Sequence, residues 1–63
     1  MQRILLKDKN FIVIGFVEIS PDGKKTLKDS EYIIRGYYDP KTNMTKNAKF
    51  MFVGYGDLLT TLL

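Results

Sequence analysis

The chain has no cysteine, no histidine and no tryptophan, and only two prolines in 63 residues. Without cysteine it cannot hold a disulfide, and without cysteine and histidine it lacks the commonest ligands for zinc and the transition metals. The same two absences remove the usual near-neutral general base and the most reactive nucleophile. Ser20 and Ser30 lie in turn segments with no evident catalytic partner, and there is neither a phosphate-binding loop nor a dinucleotide fingerprint. An enzyme is therefore not expected, and no cofactor is implied. No apolar run approaches the ~20 residues of a membrane span. Met1-Gln2-Arg3 leads into only three apolar residues before Lys7, too few for a secretory signal. The expected setting is cytoplasmic, with no membrane partner.

What the chain does have is 44% hydrophobic residues, with aromatics making up 13% of the chain, and charges that alternate in sign to a net +3. That composition folds rather than remaining disordered. Sixty-three residues make a single domain, 1–63, whose own core supplies only about 3–5 kcal/mol of net stability. With disulfides and the common metal staples excluded, assembly with further copies is the remaining device for strengthening it.

The stretch Phe11 to Glu18 (FIVIGFVE) returns as Tyr32 to Asp39 (YIIRGYYD) and Phe50 to Asp57 (FMFVGYGD). Each copy follows Lys7-Asp8, Lys28-Asp29 or Lys46-Asn47 at the same offset. Their β-branched and aromatic residues predict strands, bounded by turns of two alternating kinds. One is Lys7-Asp8-Lys9-Asn10, in which Asn10 is expected to take the left-handed position, with Lys28-Asp29-Ser30-Glu31 as its counterpart. The other is Ser20-Pro21-Asp22-Gly23 and Asp39-Pro40-Lys41-Thr42-Asn43, where proline pre-sets φ and Gly23 or Asn43 supplies φ > 0. Short connections imply antiparallel neighbours. The expectation is an all-β domain of three similar hairpins, about 3–20, 24–39 and 44–56. They would form a small pseudo-symmetric sheet or barrel-like arrangement with arms of unequal length, rather than a solenoid. In 57–63 the leucines change period, which predicts a short helix with Asp57 as N-cap and Leu58, Leu59, Leu62 and Leu63 on one face.

Strict alternation puts Phe11, Val13, Gly15 and Val17 on one face with Tyr32, Ile34, Gly36, Tyr38, Phe50, Phe52, Gly54 and Gly56. Ile14, Phe16, Glu18, Tyr37 and Tyr55 fall on the other. Both faces are largely apolar, so both should be covered. The glycine face is expected to pack inward on the other hairpins. The second face, with the leucine tail, is expected to meet another copy, giving an oligomer interface of Phe16, Tyr37, Tyr55, Leu58, Leu59, Leu62 and Leu63. The alternative is a monomer whose tail folds over its own second face. Gly15, Gly36 and Gly54 are structural positions: glycine in mid-strand marks either a close approach of backbones near the pseudo-axis or a β-bulge.

Two binding constellations stand beside this reading. Glu18, Asp39 and Asp57 follow each repeat at the same place and could together hold a hard cation. Asp39 is also explained by its turn and Asp57 by its cap. The recurring Lys7, Lys28 and Lys46, near Tyr32, Tyr37, Tyr38 and Tyr55, could bind single-stranded nucleic acid, although acids interleave with the bases.

The run from Arg35 to Asn47 (RGYYDPKTNMTKN), the segment Val53 to Leu59 (VGYGDLL) and the final Leu62-Leu63 resemble the small bacterial domains called the four-fold beta flower. The similarity covers most of the chain and implies an all-β domain of unknown function. Such repeats typically end the Lys-Asp turn in glycine, where this chain has Asn10, Glu31 and Lys49. Three repeats are clear, so a fourth unit would come from a chain end or another subunit.

Overall fold

A computed structural model describes residues 2–63; Met1, part of the expected 1–63 domain, lies outside the described residues. The chain is all-β. Its strands are β1 (Gln2–Lys7), β2 (Val13–Ile19), β3 (Lys25–Asp29), β4 (Ile34–Asp39), β5 (Met44–Asn47) and β6 (Phe52–Tyr55). They form one antiparallel sheet in sequence order, open, with β1 and β6 at its edges. The barrel-like closure expected from the repeats is not formed. The tail is shorter than the expected 57–63 helix: a single 3-10 turn, Leu59–Leu62, follows Leu58, which makes no side-chain cap bond. Asp57 Oδ1 still accepts from the Leu59 amide at 3.3 Å.

β2, β4 and β6 each begin two residues later than alternation predicts, and the cause lies in the turns. At the first, the Phe11 amide donates to the Asp8 carbonyl and the Asp8 amide to the Ile12 carbonyl, both at 3.0 Å. The Asp8 carboxylate accepts from the Asn10 and Ile12 amides at 2.8 and 3.1 Å. Asp29 makes the same set with Glu31, Tyr32 and Ile33, and Asn47 with Lys49, Phe50 and Met51. The left-handed residue is not Asn10 but its neighbour: Phe11, Tyr32 and Phe50 have φ of 63°, 66° and 63°. The turn bonds hold aromatic side chains where glycine is ordinarily preferred. In the proline turns the expected residues take that role, Gly23 at φ 91° and Asn43 at 55°.

Each of these turns is followed by a slip in strand pairing. Leu6 faces Gly15 but Lys7 faces Val13; Leu27 faces Gly36 but Lys28 faces Ile34; Thr45 faces Gly54 but Lys46 faces Phe52. The extra residue at each β-bulge, Ile14, Arg35 or Val53, reverses the parity beyond it. Val13, Ile34 and Phe52 therefore lie on the second face with Phe16 and Tyr37, not on the glycine face.

The glycine face is the core face, and what covers it is the chain's own tail. Val17, Leu27 and Leu59 form the buried cluster, with Leu6, Ile19, Tyr38 and Leu62 packed against it. A Cβ at Gly15 would lie 3.0 Å from Leu63 Cδ2 and one at Gly54 2.6 Å from Leu58 Cδ1, while one at Gly36 would run into Leu62 Cδ1. Each glycine adjoins a bulge, and each lies beneath a leucine of the tail, so the space it leaves is taken by a side chain of the cover and not by backbones meeting at a pseudo-axis. Fully buried Thr45 fastens this cover, its hydroxyl donating to the Gly56 carbonyl at 2.6 Å and accepting from the Leu58 amide at 3.0 Å.

Two stability measurements follow. Gly36→Ala places a methyl against Leu62 and 2.9 Å from the Lys46 carbonyl, which should cost about 1–3 kcal/mol in a urea melt. Combining it with Leu62→Ala should give a loss smaller than the sum of the two single losses, and strict additivity would show that the two sites do not touch. Phe11 is 82% exposed, so Phe11→Gly should relieve its backbone and leave stability unchanged or higher by up to about 1 kcal/mol; a loss beyond about 1 kcal/mol would reveal packing of the ring.

Candidate functional site

With the glycine face covered, the second face and the rim formed by the three Asp/Asn turns hold the side chains available for binding. At the rim, Phe11-Ile12, Tyr32-Ile33 and Phe50-Met51 are all more than half exposed. The left-handed backbone swings two of these aromatics back over the second face. Tyr32 meets Phe16 edge-on at 4.9 Å between ring centres, and Phe50 stacks on Tyr37 at 4.7 Å with 6° between planes. Both partners occupy the same place, one residue after the bulge glycine. Beside the second pair a shallow groove opens, lined by Lys24, Thr26, Tyr37, Lys46 and Phe50.

The seven residues expected to form a subunit interface do not share one surface. Phe16 and Leu59 are buried within the chain, at 4% and 1% exposure. Phe16 lies beneath Tyr32, with the Arg3 guanidinium 4.8 Å from its ring centre. Tyr37, Leu58 and Leu62 are half-buried, while Leu63 and Tyr55 are exposed. The leucine tail thus belongs to the core rather than to the second face. Besides Val13, Ile34 and Phe52, alternation assigned Tyr32 and Phe50 to the glycine face, whereas these two pack over the second. The recurring signal was available, since each stands three residues after an Asp or Asn and four before a glycine.

The three carboxylates are not brought together; among the described residues no group of three or more metal-ligating side chains forms. Glu18 pairs with Lys28 at 2.5 Å and Arg3 at 3.6 Å. Asp39 accepts from the Lys41 amide at 2.9 Å, and Asp57 pairs with Lys25 at 2.8 Å. Ser20, expected to have no partner, hydrogen-bonds Asp22 across its turn, an arrangement that closes the turn together with the bond from the Lys24 amide to the same carboxylate at 3.0 Å.

The hydrogen bond from Lys28 is the main cause holding the Glu18 carboxyl below its ordinary value of 4.5; partial burial opposes it, and the charges of Lys28 and Arg3 reinforce it. A carboxyl more acidic when folded stabilises the fold above its unfolded value, and this contribution is lost as pH falls through the folded value. Glu18→Gln should therefore lower the urea midpoint at pH 7, with the gap to the parent closing below about pH 4.5. A gap independent of pH would mean that the charge of Glu18 is immaterial.

No helix among the described residues is long and apolar enough to cross a membrane. No family model, no curated protein and no solved structure matches the chain.

Proposed function

We propose that this chain is a non-enzymatic β module whose function is binding and assembly, and that it associates with copies of itself. The observation that carries this reading is the set of apolar side chains outside the core. Phe11, Tyr32, Phe50 and Tyr55 are 82%, 64%, 65% and 71% exposed on an open sheet. Large contiguous apolar exposure marks an interaction surface. The three hairpins are read as copies of one unit, supported by identical turn bonds at Asp8, Asp29 and Asn47 and by the recurring bulges. A bacterial, cytoplasmic domain related to the four-fold beta flower belongs to the same reading, supported by the Tyr38-Asp39-Pro40 turn and the Gly-Asp-Leu-Leu close.

A second reading, single-stranded nucleic acid in the groove, is favoured by the Tyr37–Phe50 stack in a groove that Lys24 and Lys46 also line, together with Asp39. Stacking platforms beside cations bind such strands. Against it, Arg3, Lys25, Lys28 and Arg35 each lie within 4.0 Å of a carboxylate.

Light scattering over a micromolar to millimolar range should give a mass above that of one chain; a single-chain mass throughout would overturn assembly. Titration with labelled single-stranded DNA separates the readings: assembly predicts no salt-sensitive binding. Binding that weakens steeply with salt and is lost in Tyr37→Ala would favour the groove instead.

A further inference from the structure

Resting on the assembly reading, we infer the mode of association: head to tail, with β6 of one copy pairing to β1 of the next, and Tyr55 of the first packing against Phe11 of the second. The chain already makes this junction twice within itself. In β2·β3, Gly15 faces Asp29 and Phe16 faces Lys28; in β4·β5, Gly36 faces Asn47 and Tyr37 faces Lys46. At each junction the aromatic after the glycine packs against the left-handed aromatic of the next hairpin, Phe16 on Tyr32 and Tyr37 on Phe50. By the same positions, Gly54 is due to face Asp8 and Tyr55 to face Lys7 of a following unit.

Three observations mark the two halves of this junction as unfilled. Tyr55 is 71% exposed and its ring meets Phe52 of its own strand edge-on, 5.2 Å between ring centres. Phe11, the first left-handed aromatic, is the most exposed large apolar residue among the described residues, at 82%. Leu6 holds the place of Leu27 and Thr45 opposite a bulge glycine; those two are 0% exposed, whereas Leu6 is only half-buried. The difference is the strand that lies beyond β3 and β5 but not beyond β1. The unpaired edges are β1 on one side and β6 on the other, and an edge is a template for a further strand. One edge lacks what the other carries, so the fitting occupant is a second copy of this chain, in a heterologous contact that continues the sheet.

Two variants block one edge each. Phe11→Gly removes the ring from the β1 side at a position where glycine suits the backbone. Tyr55→Lys removes the ring from the β6 side and sets a like charge opposite Lys7 of the neighbour. Sedimentation velocity is run on each alone and on an equimolar mixture, with thermal melts showing that both are folded. Each variant alone should associate about tenfold or more weakly than the parent. The mixture should recover a two-chain species and stop there, because Phe11→Gly keeps an intact β6 edge and Tyr55→Lys an intact β1 edge. Parent-like assembly in both variants would overturn the head-to-tail contact and leave assembly standing. Loss in only one variant, unrescued by mixing, would overturn it in favour of a symmetric β1·β1 or β6·β6 contact. A parent that is a single chain at every concentration would overturn both.

Discussion

Everything in this fold depends on four leucines lying in a shallow trough that three glycines leave open. An open sheet of 63 residues has one apolar face too many and no second layer with which to cover it. The tail supplies that layer: Leu59 fills the space beside Val17 and Leu27, while Leu58, Leu62 and Leu63 each lie over a glycine. A 3-10 turn of four residues has no stability of its own. It exists because these contacts and the two bonds of the Thr45 hydroxyl hold it, so tail and sheet order each other. Mid-strand glycine, unfavourable by about 0.5–1 kcal/mol relative to alanine, is tolerated for the approach it permits.

The second constraint is local strain. Three aromatic residues sit at φ near +65°, a conformation that L-residues avoid at about 1–2 kcal/mol each. The Asp or Asn at the start of each turn holds them there by two side-chain bonds in addition to the backbone pair. The result is directional: the bulge that follows turns the strand over, and the rings of Tyr32 and Phe50 are thrown sideways onto the aromatics of the preceding strands. Phe16 is buried this way on a face that otherwise has no cover, and Tyr37 is half-covered. Strain at the turn is offset by contact between hairpins. The arrangement gives the sheet two unlike ends, since every unit offers one half of the contact to each side.

The function classes open to the chain are narrowed by the same economy. The carboxylates of Asp8, Glu18, Asp22, Asp29, Asp39 and Asp57 are engaged with cations or backbone amides close by, so charge is distributed in pairs rather than gathered at one site. Apolar surface is what remains available, along the rim and at the two edges. This exposed apolar surface is what the small core cannot cover, a general consequence of surface-to-volume scaling.

Local chemistry made much of this legible in the sequence. The repeat, the antiparallel order, the proline turns with Gly23 and Asn43 at positive φ, and the importance of Gly15, Gly36 and Gly54 all follow from residue types at fixed offsets. Turn preferences and strand propensities act within a few residues, so spacing reveals them. The faces were not legible, because one inserted residue per hairpin reverses a period-two pattern, and no residue type announced Ile14, Arg35 or Val53 as the insertion. Nor could the sequence place the tail: Leu58 to Leu63 could cover any apolar surface, and only the depth left by three glycines, with Thr45 at the hinge, made the core face the one that fits. Sequence by itself determined the strands and their antiparallel order. Tertiary structure decided which side of each unit is inside, since burial is a property of the whole sheet and its cover, not of any one strand.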